Sequence, residues 1–388
     1  MEISQSGRPA RPIAASARGG FVAVSGSLIC AFADLDPALI LVFADDQDLV
    51  TPLTGALHDA FGAGCKVLGC SSAGGFCFDG YQEDSVVAIA FPASSFRAEA
   101  VCLRGLRQHV TLDWMVSLRG LMEKSRGHAG KSRFGLLLID GSSGCEELVT
   151  TTVDASLPDL MVLGGSAGDG LRFEQTRLAM DGVEYAESAL FCVINTDFDV
   201  KEVIFDHFVP VGNRMVVTSA NPETRLIHEI NAEPAAEEYA RLIDVRVDEL
   251  GPSAFAENPL LECAGGRHYV RAISGVTPNG DLALMCSIEP GAILTLGRSE
   301  SLTEGLRRQM EQIGPAELVL GFDCILRRIA VERAGEQETV GKLCRDFRVA
   351  GFNTYGEQHG GIHVNQTFVG LAILDDSASR GMGSIDVA

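Results

Sequence analysis

Gly164-Gly165-Ser166-Ala167-Gly168 fits the G-x-S-x-G pattern, in which a tight turn lifts a serine nucleophile above a sheet beside a histidine. Two other stretches have the same character: GCSSAGG from Gly69 and GFNTYGE from Gly351. Ser71 and Thr354 then stand where Ser166 does. A motif that recurs in this way marks a turn needing glycine and a small polar side chain. These residues are therefore expected to be structural or ligand-contacting, and a serine hydrolase using Ser166 is the weakest of three functional readings. Glycine turns after strands can also present backbone N–H groups to an anion. No Walker lysine and no G-x-G-x-x-G accompanies them, which favours a small carboxylate over a nucleotide.

Among eight histidines there is no HExxH pair, and Gly360-Gly361 between His359 and His363 argues against a helical metal pair. His207 differs from the rest. It stands in VIFDHFVPVG between Phe205 and Phe208, just before a Pro210-Val211-Gly212 turn. A histidine in apolar surroundings is most often a satisfied core residue, yet a neutral imidazole there is also what an axial haem ligand requires. Arg214, Arg225 and His228 are the cations nearest in sequence for haem propionates. The acidic runs DDQD, CEEL and EPAAEE read as solvated helix starts. Asp323 with Arg327-Arg328 can line a pocket or lie on the surface.

The elements that must position these residues come as an internal repeat, Leu39–Phe91, Leu136–Ile194 and Leu318–Leu374. Each copy has an apolar strand, a helix, a second apolar strand, the glycine turn and a closing strand. From the first strand to the glycine the offsets are 30, 28 and 33 residues. Leu53, Ala56, Leu57, Ala60 and Phe61 follow helical spacing, as do Val340, Leu343, Cys344 and Phe347. LILVF, KVLGC and SVVAIAF are apolar on both faces, as buried strands are. The fold class is therefore α/β, with layered mixed sheets and helices built from repeated β-α-β-β units. Residues 195–300 differ, with strands meeting at an Asn221-Pro222 turn. The expected organisation is a flexible arm at 1–35, domains at 36–232 and 233–374, and a tail at 375–388.

With 31 basic and 52 acidic residues the net charge is −21. Nucleic acid and anionic lipid both attract basic surfaces, so neither is an expected partner. No apolar run reaches membrane-spanning length, and the N-terminal stretch has no apolar signal region. Eleven cysteines form no CxxC pair, which fits a reducing cytoplasm.

The segments KVLGCSSAGGF, DGVEYAESALFCVI and GFNTYGEQHGGIHVNQTF resemble the FIST family of sensory proteins, which has a FIST N region followed by a FIST C region. On that resemblance 36–232 is FIST N-like and 233–374 FIST C-like. Many FIST C regions carry a Ser-Cys-Asn-Gly-Arg type sequence where this chain has GFDCILRRI. With FDHFVPVG and MVVTSA, that departure resembles the nitric-oxide-sensing haem branch, NosP. The resemblance implies a bacterial cytoplasmic sensor. It would regulate a histidine kinase or a cyclic di-GMP enzyme in trans, since the chain carries no output segment of its own. Homo-oligomerisation is compatible with this. Haem would be held by His207 at the iron, with Phe205, Phe208, Arg214, Arg225 and His228 around it. The alternative is a haem-free FIST module binding a small metabolite such as an amino acid.

Overall fold

The computed structural model describes residues 9–128, 130–264 and 267–374. The expected tail, 375–388, and the first eight residues of the expected arm lie outside these.

The repeat is realised as three six-stranded sheets. In each copy the first strand (Pro37–Ala44, Ser132–Ile139, Ala316–Cys324) runs parallel to the second (Lys66–Ser71, Met161–Ser166, Val349–Thr354). It runs antiparallel to the closing strand (Ser85–Pro92, Ser188–Thr196, Thr367–Leu374). The parallel register pairs Val42 with Gly69, Leu137 with Gly164 and Gly321 with Gly351, so the three glycines occupy one position of the unit. A Cβ at Gly164 or Gly351 would overlap the facing carbonyl of Leu137 or Gly321, which is why glycine stands there. The same register makes Asn353, not Thr354, the counterpart of Ser71 and Ser166. The sequence comparison was one residue out, because Thr354 shares its small hydroxyl with the serines but not their strand position.

Each unit also holds a short hairpin between its second and closing strands, and that hairpin leaves its own sheet. The hairpin Gly75–Gln82 of copy one pairs with the second strand of copy three, Phe76 opposite Gly351. The hairpin Leu178–Tyr185 of copy two pairs with copy one, Ala179 opposite Gly69. The hairpin Glu357–Val364 of copy three pairs with copy two, Gln358 opposite Gly164. The exchange closes a ring. One hydrogen bond recurs at each joint: Ala73 N–H to Asn353 O (2.9 Å), Gly168 N–H to Ser71 O (3.1 Å) and Tyr355 N–H to Ser166 O (3.2 Å).

Leu39, Leu41 and Phe43, Leu136 and Leu138, and Leu320 and Phe322 point from the three sheets into one shared core. Helices cover the outer faces: α1 (Phe21–Phe32) and α2 (Val50–Phe61) on the first sheet, and α3 (Thr111–Ser125) and α4 (Glu146–Ser156) on the second. Short helices α5 (Ala235–Leu242) and α6 (Pro252–Glu257) pack on a fourth sheet. The third copy is covered by α7 (Glu304–Ile313), α8 (Ile325–Ala334) and α9 (Gln337–Asp346). Burying strands on both faces is what produced the uninterrupted apolar runs.

The fourth sheet is antiparallel and spans Phe208–Ser299. Its strands Phe208–Asn221 and Leu226–Ile230 precede residue 232 yet pair with strands after it, so this sheet runs across the expected boundary. The expected arm is also structured from Ile13 on. Ile13–Arg18 forms an antiparallel edge strand on Ser85–Ala90, and α1 follows after a Gly19-Gly20 turn. Its small Ala and Ser residues gave no strand alternation to read. Among the described residues no helix is long and apolar enough to cross a membrane.

Candidate functional site

The three strand ends converge because the hairpins are exchanged, and their hydroxyls are used internally. Ser71, Ser166 and Thr354 are fully buried. Ser71 Oγ accepts from Arg177 N–H (2.9 Å), Ser166 Oγ accepts from Gln358 Nε2 (2.9 Å), and Thr354 Oγ1 donates to Glu357. Gln358 Nε2 also lies 3.2 Å from His363 Nδ1, so the amide stands between imidazole and serine. The turn after Ser166 leads to a loop rather than a helix. A nucleophile elbow needs an exposed serine with a histidine against it. Ser166 has neither, and it serves as a joint between copies.

Beyond the joints lies a polar cleft of about 550 Å³ lined by Asp45, Ser72, Gly74, Asp169, Arg172 and Arg328, drawn from all three copies. Arg328, on α8, is largely buried. Its guanidinium donates to Glu332 (2.7 Å) and Asn353 Oδ1 (3.3 Å) and lies over the Tyr81 ring at 5.2 Å. It occupies the space that a side chain at Gly74, φ +130°, would need. Asp45 accepts from Ser72 Oγ (2.7 Å) and Ser85 N–H (3.1 Å). Burial pushes its carboxyl above the ordinary range, although these bonds and Arg328 pull against that shift. Copy two roofs this region with the loop after Gly168. Asp169 accepts backbone N–H groups of Phe173, Glu174 and Gln175 and the Tyr355 hydroxyl. Burial would raise Asp169, but those four donors hold it below its usual value. Phe173 stacks on Tyr355 with centroids 4.4 Å apart. The guanidiniums of Arg172 and Arg328 face this cleft together with the carboxylates of Asp45, Glu83, Asp84, Asp169 and Glu332, a mixed and net acidic lining that suits a small ligand carrying both charges.

Sequence reasoning left the arginine pair undecided between pocket and surface, and the structure separates its two members. Arg328 lines the cleft. Arg327 is 1% exposed, bound to Asp323 at 2.5 Å and to Leu302 O at 3.0 Å. Asp323 also accepts from Tyr81 OH at 2.5 Å, and Tyr81 belongs to the exchanged hairpin of copy one. The only signal in sequence was an Asp-x-x-x-Arg spacing at the start of a helix, which brings i and i+4 together.

His207 lies between the edge strand Val200–Asp206 and the first strand of the fourth sheet, 4% exposed. Its Nδ1 is buried without a hydrogen-bond partner, and its carbonyl accepts from Glu300 N–H at 2.6 Å. Burial first, and the nearby Arg327 second, push its pKa down to about 3, so the ring is neutral. Phe208 packs on it at 3.9 Å between centroids. Phe208 in turn lines a cleft of about 500 Å³ with Glu202, Ile204, Asp206, His268 and His359. Burial raises the Asp206 carboxyl there, against the opposing pull of His268.

The other expected site residues are not gathered around His207. Phe205 faces away from Phe208, packing with Leu302, Leu306 and Met310 beneath Arg327, so the two rings do not form one wall. Arg214 is exposed on its strand. Arg225 binds Glu146 (2.5 Å), Glu147 (2.9 Å) and Met285 O (2.8 Å), and His228 binds Asp281 (2.8 Å). Nearness in sequence misled because the fourth sheet turns Arg225 toward the start of α4. The CEEL acids are correspondingly not solvated: Glu146 is buried, and Glu147 accepts from Ser287 N–H at 2.6 Å.

No curated protein sequence matches the chain. Residues 38–233 match the FIST N domain and residues 235–359 the FIST C domain. With both matches together spanning most of its length, this chain belongs to the FIST family, whose domains are sensory, signal-transduction domains.

Proposed function

We propose that this protein is the sensory half of a two-protein signalling device. It is a cytoplasmic, haem-binding nitric oxide sensor acting in trans on a bacterial histidine kinase or cyclic di-GMP enzyme. The observation that carries this reading is His207, a buried, neutral imidazole with Nδ1 unpartnered. A neutral ring with a free lone pair is the form that ligates iron, and a polar atom left bare in the core is costly unless something uses it. Haem would supply an iron with one face open to a diatomic gas. Phe208 packs on the ring and lines the neighbouring cleft, and Ile204 and Val270 give that cleft apolar lining. His268 and His359, rather than Arg214, Arg225 and His228, line the cleft beside Glu202 and Asp206 and would be the donors for the propionates. The free state of every described cysteine accords with a reducing compartment.

Protein reconstituted with haemin should show a Soret band that shifts on adding nitric oxide. His207→Ala should lose it with unchanged circular dichroism, and His228→Ala should keep it. Absence of any Soret band in the parent protein overturns the haem reading. A band kept by His207→Ala and lost by His363→Ala overturns the ligand assignment alone.

The second reading, a haem-free module for a small metabolite such as an amino acid, is favoured by Arg328 and Asp45 at the three-copy cleft. Calorimetric titration with a panel of amino acids tests it, with Arg328→Gln expected to abolish any heat of binding.

A further inference from the structure

From Gly19 to Ala33 the chain carries no charged residue, in a protein of net charge −21. This stretch is α1, and among the described α-helices it alone lacks a charged residue. One face, Val24, Leu28 and Phe32, packs on the first sheet. The opposite face is open and also uncharged: Val22 is 80% exposed, with Ala23, Gly26, Ser27, Cys30 and Ala31 beside it, while Phe21, at the start of the packed stripe, is 39% exposed. A helix apolar all round is ordinarily covered all round. Beside it, the strand Ile13–Arg18 is the last of its sheet and pairs on one side only with described residues. An open strand edge is a template for another strand.

We propose that two copies of this chain associate here, the edge strands Ile13–Arg18 pairing antiparallel about a two-fold axis with the two α1 helices packed over the junction. Three points select a second copy as the occupant. Antiparallel pairing of one strand with itself is self-complementary, as a two-fold interface demands. Two bodies of charge −21 repel, and the encounter that avoids contact between carboxylates is through a face that carries none, its one charge being Arg18 at the end of the strand. The edge strand and the bare helix are adjacent in sequence and in space, so one operation covers both. The third sheet's equivalent edge strand, Val200–Asp206, differs by carrying Lys201, Glu202 and Asp206, as an edge guarded against pairing does.

Sedimentation equilibrium of the full chain should give twice the 41.2 kDa chain mass. Val22→Glu, a change at a site exposed in the single chain, should return it to one chain mass with an unchanged circular dichroism spectrum. Cys30 supplies an independent readout, being the one cysteine of the eleven that is exposed in a single chain. Its reaction with a thiol reagent should be slow in the parent and at least tenfold faster in Val22→Glu. A parent protein that stays at one chain mass at tens of micromolar overturns the proposal. So does a dimer that survives Val22→Glu with Cys30 still reactive, or one that is broken instead by Val116→Glu on α3.

Discussion

Asp323→Asn tests whether the exchanged hairpins make the three copies one cooperative body. The carboxylate holds Arg327 at 2.5 Å inside the core and receives the Tyr81 hydroxyl at 2.5 Å from another copy. Asparagine keeps an acceptor but leaves Arg327, 1% exposed, as a buried cation without an anion. Stranding one member of a buried pair costs about 3–5 kcal/mol. Tyr81→Phe removes only one hydrogen bond to a charged group and should cost about 1.5–3 kcal/mol. Replacing both ions together, Asp323→Leu with Arg327→Met and Tyr81→Phe, should be milder than Asp323→Asn, because no charge or donor is then stranded. Urea unfolding followed by circular dichroism gives these differences. Trp114, the only tryptophan, is on α3 and buried against copy two, so its fluorescence reports a copy that Asp323 does not belong to. Both signals should move to the same lower midpoint. If Trp114 keeps the parent midpoint while circular dichroism shifts, the copies unfold separately. If Asp323→Asn lies within about 1 kcal/mol of the parent, the desolvated charge has been misjudged.

Gly74→Ala should displace the Arg328 guanidinium and lose any ligand bound at the three-copy cleft, because the new methyl occupies its place and φ is +130°; calorimetry and thermal melting check it. Glu357 is fully buried and its carboxyl is raised well above the ordinary 4.5, chiefly by burial, so its contribution to stability is full below 4.5 and is lost as pH rises above it. Glu357→Gln should therefore gain about 1 kcal/mol or more at pH 8 and little at pH 4, read from melting curves. His207 runs the other way. Its pKa is lowered to about 3 against an ordinary 6.5, so stability is full above 6.5 and falls as pH drops toward 3. His207→Leu should flatten that acid limb, and an unchanged limb would show that His207 is not the group responsible.

The parts of the fold legible in sequence were those set by burial along one chain segment. LILVF and SVVAIAF read as strands because both faces are covered, and Leu53 and Leu57 marked α2 because one face is. What pairs with what was not legible. A three-residue strand such as Gly75–Cys77 encodes extended backbone but not whose edge it joins, and a closed exchange of three hairpins leaves the same local pattern as three separate units. The one-residue slip at Thr354 has the same origin, since register is set by the partner strand. For the site, His207 was visible through its apolar neighbours, whereas Arg327 was not. A buried ion pair and a solvated one have the same sequence, and only packing separates Arg327 from exposed pairs such as Arg307 with Glu304.

A series of contacts runs from one cleft to the other, and this bears on how a sensor of this shape can signal. Arg327 lies near enough to His207 for its charge to help lower the imidazole's pKa, and its guanidinium is fixed by Asp323. Asp323 holds Tyr81, and the Tyr81 ring lies under the Arg328 guanidinium that lines the three-copy cleft. These contacts offer a shift of the imidazole a route to the second cleft along Arg327, Asp323, Tyr81 and Arg328. Coupling of this kind needs an element with two arrangements that both sites bias, not merely a chain of contacts. The exchanged hairpin Gly75–Gln82 is the candidate element, being short and paired to a foreign sheet, with Phe76 in that copy's core, Asp79 bonded to Arg345 and the Tyr81 hydroxyl anchored on Asp323. Tyr81→Phe loosens that anchor without touching either cleft's charges. It should weaken the effect of a ligand at one cleft on affinity at the other, while leaving each affinity measured alone within about twofold, a change worth roughly 0.4 kcal/mol. Equal coupling in the parent and Tyr81→Phe would place the connection elsewhere, through the fourth sheet and its Arg225–Glu146 contact.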